Sequence, residues 1–213
     1  MPARLVILAS GAGSTLQAFL DAVAAGELDA RIVAVGSDRP DCAALQRAEA
    51  AGVPTFAVPL RHGEDRALWN SALSDAIAAH EPDLVVLAGF MRVLGAKVVG
   101  RFRIVNTHPS LLPAFPGAHA VRDALEHGVR ISGVTVHWVD EGLDSGPIIA
   151  QAAVPVLPGD TEETLAARIL RQEHRLYPLV VRWFGEGRIA IDGEKIAVRD
   201  VACDATLLFS RET

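Results

Sequence analysis

The chain of 213 residues is half hydrophobic and 22% charged, with a net charge of −6. This composition excludes a disordered chain and offers no basic footprint for a broad nucleic-acid surface. Cys42 and Cys203 are too few and too far apart for a disulfide scaffold, and the first apolar run, Leu5 to Ala9, is too short for a signal peptide or membrane span. A cytoplasmic protein with reduced thiols is therefore expected, with neither nucleic acid nor membrane as a partner. The length fits a single domain over 1–213, with no linker, repeat or low-complexity tract.

Short aliphatic runs alternate with stretches of helical period from the start, the pattern of βα units feeding a parallel sheet. Strands are expected at Leu5–Ser10, Arg31–Ser37, Thr55–Pro59, Leu84–Ala88 and Ile104–Asn106. Helices are expected at Thr15–Ala25, Ala43–Ala51, Arg66–Ala79 and Ala96–Arg101. The unbroken apolar run Leu84–Leu87 suits a strand covered by helices on both faces. After the proline-punctuated segment 109–117, the pattern predicts a helix near His119–His127 and strands at Ser132–Val139 and Pro147–Val156. A long helix should open at Asp160-Thr161-Glu162-Glu163 and reach Phe184, with a kink at Pro178. Ile189–Asp192 and Lys195–Val198, separated by Gly193-Glu194, read as a hairpin.

Three segments carry candidate chemistry. Ser10-Gly11-Ala12-Gly13-Ser14-Thr15 lies between a strand and a helix, where glycines let backbone N–H groups approach an anion at the positive helix end. A phosphate site or a ligand-free tight turn both fit. The loop has no Walker lysine, and Leu16 stands where a dinucleotide fingerprint has its third glycine. Asp38, at the offset of a ribose-binding acid, keeps a dinucleotide reading open. In Asn106-Thr107-His108-Pro109, the Asn and His side chains leave an extended segment on the same side, which suits joint stabilisation of one oxygen. Turn chemistry alone also explains them. The third segment, Gly133 to Pro147, runs a strand into an acidic loop whose Asp140, Glu141 or Asp144 would favour a charged His108 if the segments met, or would be solvated loop acids if they did not. His137 and Trp138 are expected to pack. No zinc-ligand spacing is present, so no metal is expected, and Ser110 lacks a nucleophile elbow.

Together with Ala88-Gly89-Phe90-Met91-Arg92, these segments resemble the phosphoribosylglycinamide formyltransferase family, from the glycine loop to Trp183. The resemblance implies a Rossmann-like α/β fold, a doubly wound and mostly parallel sheet with helices on both faces. Within it, 1–100 would be the phosphate-binding half, 101–187 the catalytic and folate-binding half, and 188–213 a hairpin and tail. It implies formyl transfer from 10-formyltetrahydrofolate to the amine of glycinamide ribonucleotide, by direct attack and without a metal. Asn106 and His108 would stabilise the oxyanion, supported by Asp144. Gly13, Ser14 and Thr15 would hold the substrate phosphate and Glu173 the amine. Arg66, Met91, Arg92, Val93, Leu94, Asn106 and the loop of Asp140, Glu141, Gly142, Leu143 and Asp144 would hold the folate.

Thr15 departs from the family's usual Asn, and Leu170 stands where a polar residue is usual, so Arg168 or Arg171 is expected to help at the phosphate. The related methionyl-tRNA formyltransferases and formyltetrahydrofolate hydrolases carry an extra domain for which this length leaves no room. The chain is expected to act as a monomer or homodimer.

Overall fold

The computed structural model describes residues 1–192, 195–200 and 207–209. The chain divides into two compact units, Met1–Asn106 and Thr107–Thr213. The first is built from β1 (Ala3–Leu8), α1 (Ser14–Ala24), β2 (Ala30–Ser37), α2 (Ala43–Ala50), β3 (Thr55–Ala57), α3 (Arg66–Ala78), β4 (Leu84–Leu87), α4 (Ala96–Val99) and the start of β5 (Ile104–His108). Its strands lie in the order β5-β4-β1-β2-β3, and every neighbouring pair is parallel. Residues Leu5 to Leu8 are wholly inaccessible and Leu84 to Val86 nearly so, as expected of strands sandwiched between helical layers. The connection β1-α1-β2 runs one way across the sheet and β3-α3-β4 runs back. Right-handed crossovers therefore put α1 and α3 on opposite faces, which makes the sheet doubly wound.

The second unit contains α5 (Ala120–Glu126), β6 (Ile131–Trp138), β7 (Ile148–Pro155), α6 (Glu162–Gly185), β8 (Ile189–Asp192), β9 (Lys195–Val198) and β10 (Leu207–Phe209). Strands β6 and β7 pair antiparallel, with a register shift between Val136 and His137. Helix α6 packs on both. Its buried stripe, Leu165, Ile169, Glu173, Leu176, Val180 and Trp183, steps by three and four residues, the spacing that keeps one helical face inward.

Helix α6 begins where its capping sequence predicts. Thr161 accepts from the Thr164 N–H, and Thr164 returns the bond to the Thr161 N–H. The helix runs through Pro178 without interruption. Strands β8 and β9 form the expected hairpin, whose turn at Gly193-Glu194 lies outside the described residues. Strand β10, paired antiparallel with β7, is not anticipated from the sequence. Strand β5 extends two residues further than expected and so includes His108.

Candidate active site

In the first unit, strand order reverses between β1 and β4, and the crevice outside the carboxyl ends of such strands is where open α/β sheets bind ligands. Two loops meet there, the Ser10 N–H donating to the Gly89 carbonyl at 3.0 Å. The buried Ser10 hydroxyl accepts from the Met91 N–H at 2.9 Å and donates to Asp38 Oδ1 at 2.5 Å. Arg92 Nε donates to the other Asp38 oxygen at 2.7 Å. Asp38, 5% exposed, therefore has both oxygens engaged by protein groups, which weighs against the ribose-binding role that its sequence position leaves open. A cleft of about 670 Å³ opens beside this cluster, lined by Gly11, Ala12, Arg39, Cys42 and Arg92 among others.

Gly13 caps α1 in the left-handed region at φ 72°. A Cβ there would also lie 2.8 Å from Ala44 Cα, so both conformation and packing demand glycine. From α2, Arg47 braces the loop by donating to the Ala12 carbonyl at 2.8 Å. The first helical bond of α1 runs from the Gln17 N–H to the Gly13 carbonyl, and no side chain caps the helix. Gly13, Ser14 and Thr15 thus occupy a helix start suited to an anion. Thr15 is buried and Ser14 half-buried.

The structure brings Arg66 and the 91–94 segment together. Arg66 lies over the Trp69 ring and donates to the Val93 carbonyl at 2.6 Å. One turn on, Asn70 accepts from the Gly95 N–H. Helix α3 therefore fixes a loop whose apolar side chains project outward, Met91 being 73% and Val93 56% exposed. Leu94, by contrast, is buried.

In the second unit, His108 sits at the end of β5, 4% exposed. Its Nδ1 lies 3.3 Å from Asp144 Oδ2. The same oxygen accepts from the Gly117 N–H at 2.9 Å. On the other side of the ring, Nε2 lies 2.7 Å from the Phe115 carbonyl. Asp144 also faces His137, whose Nε2 is 3.8 Å from Oδ1. Burial pushes the His137 imidazole below its ordinary value, against the opposing effects of the Trp138 carbonyl and Asp144, so it favours the neutral state. His137 is buried, as a mainly packing residue should be, and it also faces Asp144 from the side opposite His108. Asn106 stands two residues before His108 on the same strand and so leaves it on the same side.

Of the three loop acids, Asp144 is the one at the imidazole. Asp140 instead shapes the loop, its Oδ1 accepting from the Gly142 N–H at 3.0 Å and the Ser145 hydroxyl at 2.8 Å. Glu141 and Leu143 are exposed. Glu173 is only 9% exposed on α6, an uncommon position for a carboxylate and unlike an ordinary helix-surface charge. Arg168 is held by both oxygens of Asp160 and by the Pro155 carbonyl. Arg171 is exposed. Among the described residues, no group of three or more His, Cys, Asp or Glu is placed to hold a metal ion, and no helix is long and apolar enough to cross a membrane.

Sequence reasoning missed the supports. In the sequence Ser10 is one residue of the glycine loop and Thr135 one residue of a strand. Yet a fully buried hydroxyl between Val134 and Val136 must find partners, and that requirement was the available signal. Thr135 accepts from the Leu112 N–H and donates to the Ser110 carbonyl, while Gln151 donates to both Thr135 and the Leu112 carbonyl.

A doubly wound sheet with a glycine turn at its switch point places the chain in the Rossmann-like class, and a buried imidazole facing a carboxylate at a strand end is chemistry suited to an enzyme that moves protons. Residues 3–181 match the formyl transferase family, and the chain belongs to it. Phosphoribosylglycinamide formyltransferase of Mycobacterium tuberculosis (strain CDC 1551 / Oshkosh) is 53% identical over 205 residues, spanning 92% of this chain and 94% of that protein. The enzyme of the same name from Escherichia coli (strain K12) is 41% identical, over 94% of this chain and 99% of its own. The crystal structure of glycinamide ribonucleotide transformylase 1 from Symbiobacterium toebii superposes with a TM-score of 0.90 at 48% identity, covering 92% of this chain and 94% of that one.

Proposed function

We propose that this chain transfers the formyl group of 10-formyltetrahydrofolate to the amine of 5-phosphoribosylglycinamide, a step of purine biosynthesis. Relatives of that name match it over nearly their whole length. The observation that carries the catalytic part is the buried His108–Asp144 pair at 3.3 Å. The folate supplies a formyl carbon attached to a nitrogen that can leave.

As the substrate amine bonds to that carbon, negative charge gathers on the formyl oxygen. Asn106 and His108 stabilise that charge, with Asp144 orienting the imidazole. Donors aimed at developing charge contribute about 2.7–4 kcal/mol each. The new carbon–nitrogen bond forms as the bond to the folate nitrogen breaks. The amine gives up one proton and the departing nitrogen takes one, with Asp144 placed to guide that exchange. No covalent enzyme intermediate and no metal enters.

Gly13, Ser14 and Thr15 receive the substrate phosphate, and the buried Glu173 receives the amine. Arg66, the 91–94 segment and the Asp140–Asp144 loop receive the folate. The outward-facing Met91, Val93 and Leu143 fit the apolar faces of such a ligand. Asp38 and Ser10 fix Arg92 and the Met91 backbone rather than touching substrate.

The test is the absorbance change of 10-formyltetrahydrofolate with purified protein. Deformylation that requires glycinamide ribonucleotide supports the reading; deformylation with water alone would make the protein a hydrolase.

A further inference from the structure

The two ring nitrogens of His108 face different chemistry. Asp144 stands beside Nδ1, whereas Nε2 lies 2.7 Å from a backbone carbonyl, that of Phe115. A carbonyl oxygen can only accept, so this contact requires a hydrogen on Nε2 whether the ring is neutral or charged. The proton that comes and goes must then be the one on Nδ1.

The carbonyl is held in place with unusual firmness. Phe115 adopts a φ of 53°, in the left-handed region that bulky side chains avoid, and Asp144, a residue type tolerated there, a φ of 52°. Four non-glycine residues have positive φ among the described residues, and two of them flank this one imidazole. Local strain of this kind persists only where surrounding structure fixes it.

The fixing contacts are visible. The Thr135 hydroxyl, wholly inaccessible on β6, accepts from the Leu112 N–H at 3.0 Å and donates to the Ser110 carbonyl at 2.7 Å. Gln151 on β7 donates to Thr135 and to the Leu112 carbonyl, each at 2.9 Å. The Ser110 hydroxyl donates to the Ala114 carbonyl, one residue before Phe115. The Phe115 ring leans on His127, with centroids 5.2 Å apart. At the far end of the loop, the Gly117 N–H holds the same Asp144 oxygen that faces Nδ1. One loop therefore positions both the histidine and its acid.

We propose that the Ser110–Gly117 loop, pinned to β6 and β7 by Thr135 and Gln151, is a tautomer lock. It fixes His108 with hydrogen on Nε2, so that the only proton the ring exchanges is the one on Nδ1, facing Asp144. Thr135 is then a positioning residue: it touches no reacting atom but determines which nitrogen presents the mobile proton. The catalytic consequence rests on the formyl-transfer reading above; the tautomer itself rests on the geometry alone. Among the described residues of its own unit, Asp144 faces His108 directly and His137 lies across that carboxylate.

The full chain, labelled with nitrogen-15 in its histidines, is studied by two-bond proton–nitrogen correlation NMR across a pH series, with His108→Gln identifying the His108 signals. The neutral His108 ring should show the Nε2–H pattern, with Nδ1 alone changing type on protonation. Thr135→Val, which keeps shape but loses the hydroxyl, should give a mixture of tautomers and lower kcat about tenfold with little change in KM. Thr135→Ser should restore both. An Nδ1–H pattern in the neutral wild-type ring would overturn the proposal, and that measurement needs no variant to fold. A fall in kcat for Thr135→Val with the Nε2–H pattern intact would also overturn it, by reducing Thr135 to a merely structural role. Because the spectra are recorded without substrate, failure of the formyl-transfer reading and failure of the lock are told apart.

Discussion

Gly13 is the residue at which two demands coincide. Any side chain there would both occupy a left-handed backbone and press within 2.8 Å of Ala44. Gly13→Ala should therefore lose at least the ~1–2 kcal/mol of the left-handed penalty, read as a lower urea midpoint, and should weaken binding of the phosphorylated substrate. Unchanged stability and affinity would remove the loop from the account. At the imidazole, His108→Ala or Asp144→Asn should lower kcat by about 10²–10³ with little change in ligand affinity, because both act as charge develops. Steady-state kinetics against each substrate separates the two effects. The sequence placed Asn106 and His108 together because an extended segment puts alternate residues on one side. It could not say which of Asp140, Glu141 and Asp144 meets the ring, since that choice depends on how a six-residue turn closes. The closure is made by the Asp140 carboxylate, which holds the Gly142 N–H and the Ser145 hydroxyl.

The start of α6 shows how local sequence sets an element. The Thr161 and Thr164 hydroxyls cap each other's backbone, and Asp160 bonds Arg168 through both oxygens. Thr161→Ala should cost about 1 kcal/mol, measured by chemical denaturation; a loss below a few tenths would show that the cap contributes nothing beyond water. The bonded Arg168 guanidinium and the Leu157 N–H hold the Asp160 carboxyl well below the usual carboxylate range. Its contribution to stability is thus present above the unfolded value near 3.8 and is lost only as the pH falls through the lower folded value. Most strands and helices were legible as apolar runs and helical stripes, because burial between layers imposes those periods on the chain. Strand β10 was not, since three residues carry too little periodicity to mark a strand and its pairing with β7 depends on distant sequence. The Ser10–Asp38–Arg92 cluster was hidden for the same reason: its members are 28 and 54 residues apart.

For the molecule as a whole, two histidines set a pH dependence of stability. Burial lowers the values of both His137 and His174 from their ordinary 6.5. Below that pH the unfolded chain takes up protons that the folded chain resists, so this contribution is complete above about pH 7 and declines as the pH drops through 6.5. The urea midpoint should accordingly be lower at pH 5.5 than at pH 7.5, by an amount that shrinks in His174→Phe; a flat or inverted dependence would contradict the assignment. The fold class was readable at this scale because alternating βα units leave few topologies, whereas the activity required particular residues at particular strand ends. The central claim, formyl transfer to a glycinamide amine, is tested most directly by following an isotope-labelled formyl group from 10-formyltetrahydrofolate by mass spectrometry. One label per folate consumed should appear as an amide on glycinamide ribonucleotide. Label recovered only as free formate, with the ribonucleotide unchanged, would contradict it.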